Sequence, residues 1–229
     1  KLKYISSPLV KTPQLSLQEA KLEIEQFGDI LLELGKTGKK ILQNKDPKKA
    51  RTYKTRISEL EGVTDRFDEE VIEFIIQITS EEMSRTNSSE IRNIISICST
   101  FEEIGDEFVR LSKNHERLES KKISLTETQL SQLLNLYKLL EEAIEITATN
   151  LKQDFNTLNI KAAQAIEEKI NSKVIKLHKQ NLKAIEAKDY QVKSGVIYKD
   201  LITTIEVIGD HLLNISESAT GKYSEEDLI

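Results

Sequence analysis

Apolar residues recur along most of the chain at intervals of three and four positions, the spacing that places them on one side of an α-helix. Phe27, Leu31 and Leu34 show this spacing early in the chain, and Ile91 and Ile94 show it again later. Residues that interrupt helices are scarce, because all three prolines lie in the first 47 residues and the whole chain contains eight glycines. Strands joined by tight turns need more such residues, so the pattern predicts an all-α protein.

The same pattern predicts six helices. Ser16 is a candidate N-cap for the first helix, Asp46 followed by Pro47 is a start signal for the second, and Ser124 or Thr126 opens the fourth. Residues 1–15 are expected to form an extended leader, and residues 220–229 a frayed tail. The predicted helices cover about 16–44, 47–80, 88–116, 126–155, 160–186 and 189–218.

An internal repeat organises these helices. The segment from Phe101 to Ser112 aligns with the segment from Ile205 to Ser216, 104 residues later, with the apolar positions in register. Each copy lies on the third helix of its half of the chain. We therefore expect two tandem three-helix bundles of long, spectrin-like helices, the first over residues 16–118 and the second over 124–219.

Composition narrows the classes of partner. The chain has 38 acidic and 33 basic residues and a formal net charge of −5, so it lacks the positive field typical of nucleic-acid binding. No stretch approaches the roughly 18 consecutive apolar residues of a membrane helix. The single cysteine, Cys98, excludes an internal disulfide and a multi-thiolate metal site. It continues an apolar stripe and is expected to be a buried small hydrophobe.

The repeat carries paired carboxylates. Its shared core is Glu-x-Ile-Gly-Asp, which places Glu102 and Asp106 on one face of the third helix, and Glu206 and Asp210 on the equivalent face of the sixth. Like charges one turn apart repel, so a cation or nearby basic groups should compensate them. The glycine in each copy costs helix stability, which indicates close approach of another helix or room for a ligand.

Antiparallel pairing brings further acids to these faces. If the second and third helices form a hairpin, Asp65 lies level with Glu102, and Glu61 with Asp106. In the second half, the corresponding pairs join Glu168 to Glu206 and Gln164 to Asp210. Each half can therefore bring three or four carboxyl groups within reach of one another. Solvated surface charge is the alternative interpretation of both clusters.

These motifs resemble those of the PhoU family, whose members duplicate a three-helix bundle. The segment from Glu206 to Ile215 is similar to the third-helix motif of the family, and Glu102 to Asp106 is a weaker copy. The family motif has Arg at a position that is Glu103 or Val207 here. The resemblance implies surface sites for divalent or ferric metal ions. The implied ligands are Glu61, Asp65, Glu102, Asp106, Glu168, Glu206 and Asp210.

The leader points to one setting of this family. Tyr4 to Pro13 is similar to the linker that follows the last membrane helix of sodium–phosphate cotransporters with PhoU-like domains, and the chain begins with Lys rather than Met. The resemblance implies a non-catalytic regulatory domain on the cytoplasmic face of the inner membrane, with the transport unit of the same chain as its partner. A free cytosolic regulator and a structural helical spacer are the alternatives. A homodimer is a further expectation.

The remaining chemistry is sparse. No catalytic residue is assigned, because the chain has no phosphate-binding glycine loop and no nucleophile–histidine arrangement. His211 is interpreted as a surface or interface histidine, and a peripheral metal ligand is the alternative. The first hairpin is strongly basic, which indicates contact with anionic lipid or an acidic partner, or simply a solvated helix tip. The candidate residues for such a contact are Lys39, Lys40, Lys48, Lys49 and Arg51.

Overall fold

The computed structural model describes residues 13–44, 46–78, 85–153, 155, 158 and 160–220. The predicted tail from 221 onwards and the leader up to residue 12 lie outside these residues. The described part of the chain forms six helices and no strand, which confirms the all-α prediction. The helices are α1 (Pro13–Gln43), α2 (Pro47–Ile78), α3 (Arg85–Ser120), α4 (Glu127–Asn150), α5 (Lys161–Glu186) and α6 (Val192–Ala219).

Two predicted helix starts agree with the structure. The side chain of Thr126 accepts a hydrogen bond from the backbone N–H of Gln129, and the Gln129 side chain accepts one from the Thr126 backbone N–H, which makes a complete capping box for α4. At the start of α2, the Asp46 carboxylate accepts a hydrogen bond from the Lys48 backbone N–H at 2.9 Å. Both contacts satisfy donors that a helix start leaves without a partner.

Other boundaries differ from the sequence prediction. Helix α1 begins at Pro13, so the last three residues of the expected leader are helical, and Ser16 is buried inside the helix instead of capping it. A proline fits the first position of a helix because its missing N–H is not needed there. Helix α4 ends at Asn150, five residues early, where the chain tightens into hydrogen bonds between residues three apart.

Lysines, not glycines, close two of the helices. Lys122 after α3 and Lys188 after α5 adopt positive φ angles of 53° and 60°. The N–H groups of the residues that follow, Ile123 and Asp189, bond back to carbonyls in the last helical turn at 2.8 and 2.9 Å. This motif satisfies carbonyls that a helix end leaves exposed. No glycine marks these ends. The sequence nevertheless located the end of α5 at Glu186, whereas α3 continues to Ser120, about four residues beyond its predicted end.

Each half of the chain forms its own three-helix bundle. In the first, α2 packs against both α1 and α3, and Phe27 of α1 stacks on Phe101 of α3 with ring centroids 4.0 Å apart. Phe67 of α2 meets the same Phe27 ring edge-on. In the second, α5 packs against α4 and α6. The predicted duplicated architecture of two tandem bundles is therefore confirmed.

The two bundles share an extensive interface. Helix α3 packs along α6, and α1 packs along α4, so these four helices form the centre of the molecule and α2 and α5 flank it. The buried apolar side chains of both repeats form one continuous core, in which Cys98 is fully buried as predicted. Among the described helices, none is long and apolar enough to cross a membrane.

Candidate functional site

The first acidic surface consists of Glu61 and Asp65 on α2 with Glu102 and Asp106 on α3. Helices α2 and α3 pack along each other, and the hydrogen bond from Ser99 Oγ to Asp68 Oδ1 at 3.3 Å shows which residues lie level. This is the antiparallel alignment that the sequence predicts, with Asp65 level with Glu102. The structure therefore brings all four predicted carboxylates of the first repeat within electrostatic reach of one another.

These carboxylates destabilise one another's charged forms. Burial raises the pKa of Glu61, Asp65 and Glu102, and the negative charge of Asp106 raises each of the three further. The Asp65 Oδ1 atom is buried and has no hydrogen-bond partner among the described residues. Few basic groups offset the negative charge of these half-buried acids, so a bound cation would stabilise their ionised forms.

The second acidic surface differs from the prediction by one residue. Glu167 of α5 lies beside Glu206 and Asp210 of α6, within electrostatic reach of both. Its carboxylate also accepts a hydrogen bond from the Asn171 side chain. Glu168, the residue named from the sequence, is exposed, because one step along a helix turns a side chain by about 100°. Burial first, and then the neighbouring carboxylates, raise the pKa of Glu167, Glu206 and Asp210.

A signal for Glu167 was present in the sequence. Glu167 and Asn171 are four residues apart and have Ile170 and Val174 on their side of the helix, both of which are buried in the core. The register of α5 against α6 also differs from the predicted one, since Asn181 donates a hydrogen bond to the carbonyl of Gly195 at 3.0 Å. Tertiary packing determines that register, and the hairpin pairing derived from the sequence did not predict it.

The donor chemistry of the two surfaces suits hard cations, because carboxylate oxygens are the ligands preferred by Mg, Ca and Mn. However, no three or more Asp, Glu, His or Cys side chains among the described residues form a group that could hold a metal ion. A metal would therefore require rotation of side chains that already lie near one another. The metal assignment made from the sequence stays a prediction.

The repeated glycines explain how the acids come so close. A β-carbon at Gly105 would collide with the hydroxyl of Thr64 on α2, and one at Gly209 would lie 3.1 Å from Ile170 Cδ1 on α5. Of the two explanations offered by the sequence, the structure supports close approach of a neighbouring helix. Both glycines draw the flanking helix onto the third helix of the repeat, and this places the carboxylates of the two helices on one surface.

The basic residues of the first hairpin fall into two groups. Lys39 forms an ion pair with Glu141 at 2.6 Å, and Lys40 lies over the ring of Tyr53 at 5.7 Å. Lys48, Lys49 and Arg51 are exposed, and none forms an ion pair with an acidic side chain in the described part of the chain. The positive charge available for contacts therefore lies at the start of α2.

Polar contacts hold the two repeats together between α3 and α6. Arg117 donates to Asp200 at 2.5 Å, and Asn114 donates to Thr204 at 3.3 Å. Near the middle of the interface, His211 Nδ1 lies 3.2 Å from a Glu103 carboxylate oxygen. His211 is therefore an interface histidine, one of the two interpretations that its sequence position allowed.

Crystal structures of PhoU proteins share this arrangement of helices. The crystal structure of the phosphate transport system regulatory protein PhoU from Streptococcus pneumoniae superimposes with a TM-score of 0.74 and 19% sequence identity, covering 91% of this chain and 95% of that one. PhoU from Pseudomonas aeruginosa gives a TM-score of 0.76 and 12% identity over 90% and 96% of the two chains. The chain has the PhoU fold.

The PhoU fold covers both repeats, since each superposition includes at least nine-tenths of this chain. Scans of the sequence against protein-family models and against curated proteins find no match. The likeness to PhoU is therefore carried by the three-dimensional arrangement of the six helices.

Proposed function

We propose that this chain is a non-catalytic regulatory domain for phosphate transport, which couples metal or partner binding at its two acidic surfaces to the activity of a transport unit. The observation that carries the proposal is the PhoU fold over nine-tenths of the chain, with a cluster of acids retained in both repeats. The interface between α3 and α6 links the two surfaces, so a ligand that moves one third helix also acts on the other repeat.

The preferred form of the proposal is a domain attached to a sodium–phosphate cotransporter on the cytoplasmic face of the membrane. Its support is the leader, which resembles the linker of such transporters and lies outside the described residues. A free regulator is favoured by a different observation, since the chain covers 95% and 96% of the two PhoU structures. The coding sequence upstream of Lys1 separates the two forms. In-frame hydrophobic helices support attachment, and a start codon close to Lys1 supports the free regulator.

The acidic surfaces are tested by a variant that neutralises the repeated pairs: Glu102→Ala, Asp106→Ala, Glu206→Ala and Asp210→Ala. Introduced into the native gene, this variant should alter phosphate uptake and the response to phosphate starvation. A matched control removes four exposed acids elsewhere, namely Glu73, Glu142, Glu145 and Asp189. An equal effect of both variants would contradict a specific role of the acidic surfaces.

Metal content is a separate measurement. Elemental analysis after incubation with iron, manganese or zinc should find metal in the parent protein and none in the fourfold variant. If neither protein retains metal, the cation part of the proposal fails, and coupling to a protein partner is what remains. In that case the uptake assay still decides whether the surfaces regulate transport.

A further inference from the structure

One face of the second repeat exposes large aliphatic side chains. On α5, Ile175 is 68% exposed and Leu182 is 58% exposed, and on α6, Val192 and Val196 are 61% and 45% exposed. Aliphatic residues of this size gain by leaving water, and isolated cases need no explanation. Four exposed aliphatic side chains on two adjacent helices of one hairpin do require an explanation.

These four side chains belong to one surface. Ile175 and Leu182 are seven residues apart, two helical turns on the same side of α5, and Val192 and Val196 are one turn apart on α6. Asn181 donates a hydrogen bond to the Gly195 carbonyl, so these two residues face each other between the helices. Leu182 and Val196 each follow one of them. In an antiparallel hairpin, the next residue on each helix turns to the same side. His178 and Thr203, which are 3.4 Å apart, continue the contact along the hairpin.

The same helix carries an unneutralised run of positive charge. Five lysines occur between residues 169 and 183 of α5, and no acidic residue occurs between Glu168 and Glu186. None of the five lies within 4 Å of an acidic group in the described parts of the chain. By contrast, Lys39 and Lys54 of the first repeat are paired with Glu141 and Glu119. The lysines are Lys169, Lys173, Lys176, Lys179 and Lys183.

We propose that this face of the α5–α6 hairpin docks on an anionic lipid bilayer. Exposed aliphatic side chains flanked by lysines match the chemistry of a membrane interface, where the apolar groups enter the boundary between headgroups and acyl chains. Lysines keep their ammonium groups at the level of the headgroups while their stems lie along apolar surface, and anionic lipid attracts each of them.

The residue types favour lipid over a protein partner. Protein interfaces are depleted in lysine and enriched in Phe, Tyr, Trp and Arg, and residues 169–186 of α5 contain none of these four enriched residue types. The four aliphatic side chains are between 45% and 68% exposed, so they project from the helices into solvent. Docking on lipid is independent of a role in phosphate transport, and vesicle binding is measured without a transport readout.

The test measures binding of the 229-residue chain to vesicles of phosphatidylcholine with about 30 mol % phosphatidylglycerol, and to vesicles of phosphatidylcholine alone. We expect affinity for the anionic vesicles to be at least about tenfold higher, and to fall as salt is added. Equal binding to both kinds of vesicle, or to neither, would overturn the proposal.

Two variants address the two chemical parts of the surface. Lys179→Gln with Lys183→Gln should weaken binding to the anionic vesicles by about tenfold. Arg92→Gln with Lys138→Gln removes the same charge from exposed positions on α3 and α4 and should change binding by less than about twofold. Ile175→Ser with Leu182→Ser should also weaken binding. These side chains are exposed, so thermal unfolding should remain close to that of the parent.

Competing occupants give different results. If Lys48→Gln, Lys49→Gln and Arg51→Gln together abolish vesicle binding and the α5 variants do not, the basic hairpin is the membrane contact and the proposal is wrong. Light scattering tests self-association. A parent dimer that becomes monomeric in the Ile175→Ser, Leu182→Ser variant, without vesicle binding, would identify the face as an interface between copies. Binding to soluble polyglutamate without vesicle binding would identify an acidic protein as the partner. Either result would overturn the proposal.

Discussion

Glu107 on α3 and His211 on α6 occupy the same position of the two repeated segments, and they interact across the interface between the repeats. The contacts between α3 and α6 show that the two helices are antiparallel, so equivalent positions meet only where the local twofold axis of the duplication passes. An exact duplication would place two identical side chains there. Glu107 is almost fully buried, and burial raises its pKa, while Arg110 and His211 favour its charged form. Because the second position is a histidine, the repulsion between two carboxylates that an exact duplication would produce is absent.

The first prediction concerns this pair. His211→Glu should lower the free energy of unfolding by about 1–3 kcal/mol at neutral pH, because it sets a second carboxylate against a nearly buried one. His211→Gln is the control, because Gln has the size of Glu without a carboxylate charge. It should lower the free energy of unfolding by less. Urea denaturation measures both. Equal unfolding midpoints for the two variants would show that the charge of the pair has no role in the interface.

The second prediction concerns helix packing at the repeated glycine. Gly105→Ala should destabilise the protein by about 1–3 kcal/mol, because the added methyl group collides with Thr64 and forces α2 away from α3. Gly62 on α2 offers a matched control, since a β-carbon there would meet only Arg66 Nη1 at 3.6 Å. Gly62→Ala should therefore stabilise the helix by about 0.5–1 kcal/mol. Thermal unfolding of both variants tests this contrast in sign.

The third prediction concerns the first acidic surface. Asp106→Asn should raise the free energy of unfolding by about 0.5 kcal/mol at low salt, because Asp106 repels Glu61, Asp65 and Glu102. The gain should shrink at high salt. Asp29→Asn is the control, since its carboxylate accepts a hydrogen bond from Lys152 at 3.0 Å and its loss should give no gain. Destabilisation by Asp106→Asn in metal-free buffer would contradict this account of the surface.

The fourth prediction concerns acid sensitivity. Burial lowers the pKa of His115 from its ordinary value of 6.5, an effect that Glu119 opposes and Lys54 reinforces. Below that value the unfolded chain binds a proton more readily than the folded one, so stability is lost as the pH falls. His115→Gln should therefore lose less stability than the parent between about pH 7.5 and pH 5. Urea titrations across this range compare the two slopes, and parallel curves would show that His115 does not contribute.

Much of the architecture followed from local patterns. The 3.6-residue periodicity, the capping box at Thr126 and the proline at the start of α2 depend on neighbours within one turn, so they are readable from the sequence. The start of α1 and the ends of α3 and α4 were placed less accurately. Lys122 adopts a positive φ angle, a conformation more common for glycine. Its cost must be offset by the surrounding tertiary packing.

The candidate site was partly readable for the same reason. The repeated Glu-x-Ile-Gly-Asp fixes two carboxylates on one face of each third helix, and the register of α2 against α3 followed from a hairpin of regular length. In the second repeat the register of α5 shifted, and Glu167 took the place expected of Glu168. A shift of one residue moves a side chain by about a quarter of the helix circumference, so small packing differences decide which acid joins the surface.

The sequence by itself determined the helices, the duplication and the acidic character of the two third helices, because each depends on residue type and spacing along one helix. Only the tertiary structure decided that Glu107 lies near His211 and that the repeated glycines pack against Thr64 and Ile170. It also decided that the exposed aliphatic residues of α5 and α6 form one face. Those relationships join residues distant in the chain. They depend on how whole helices pack, which is the sum of many weak contacts that no single motif encodes.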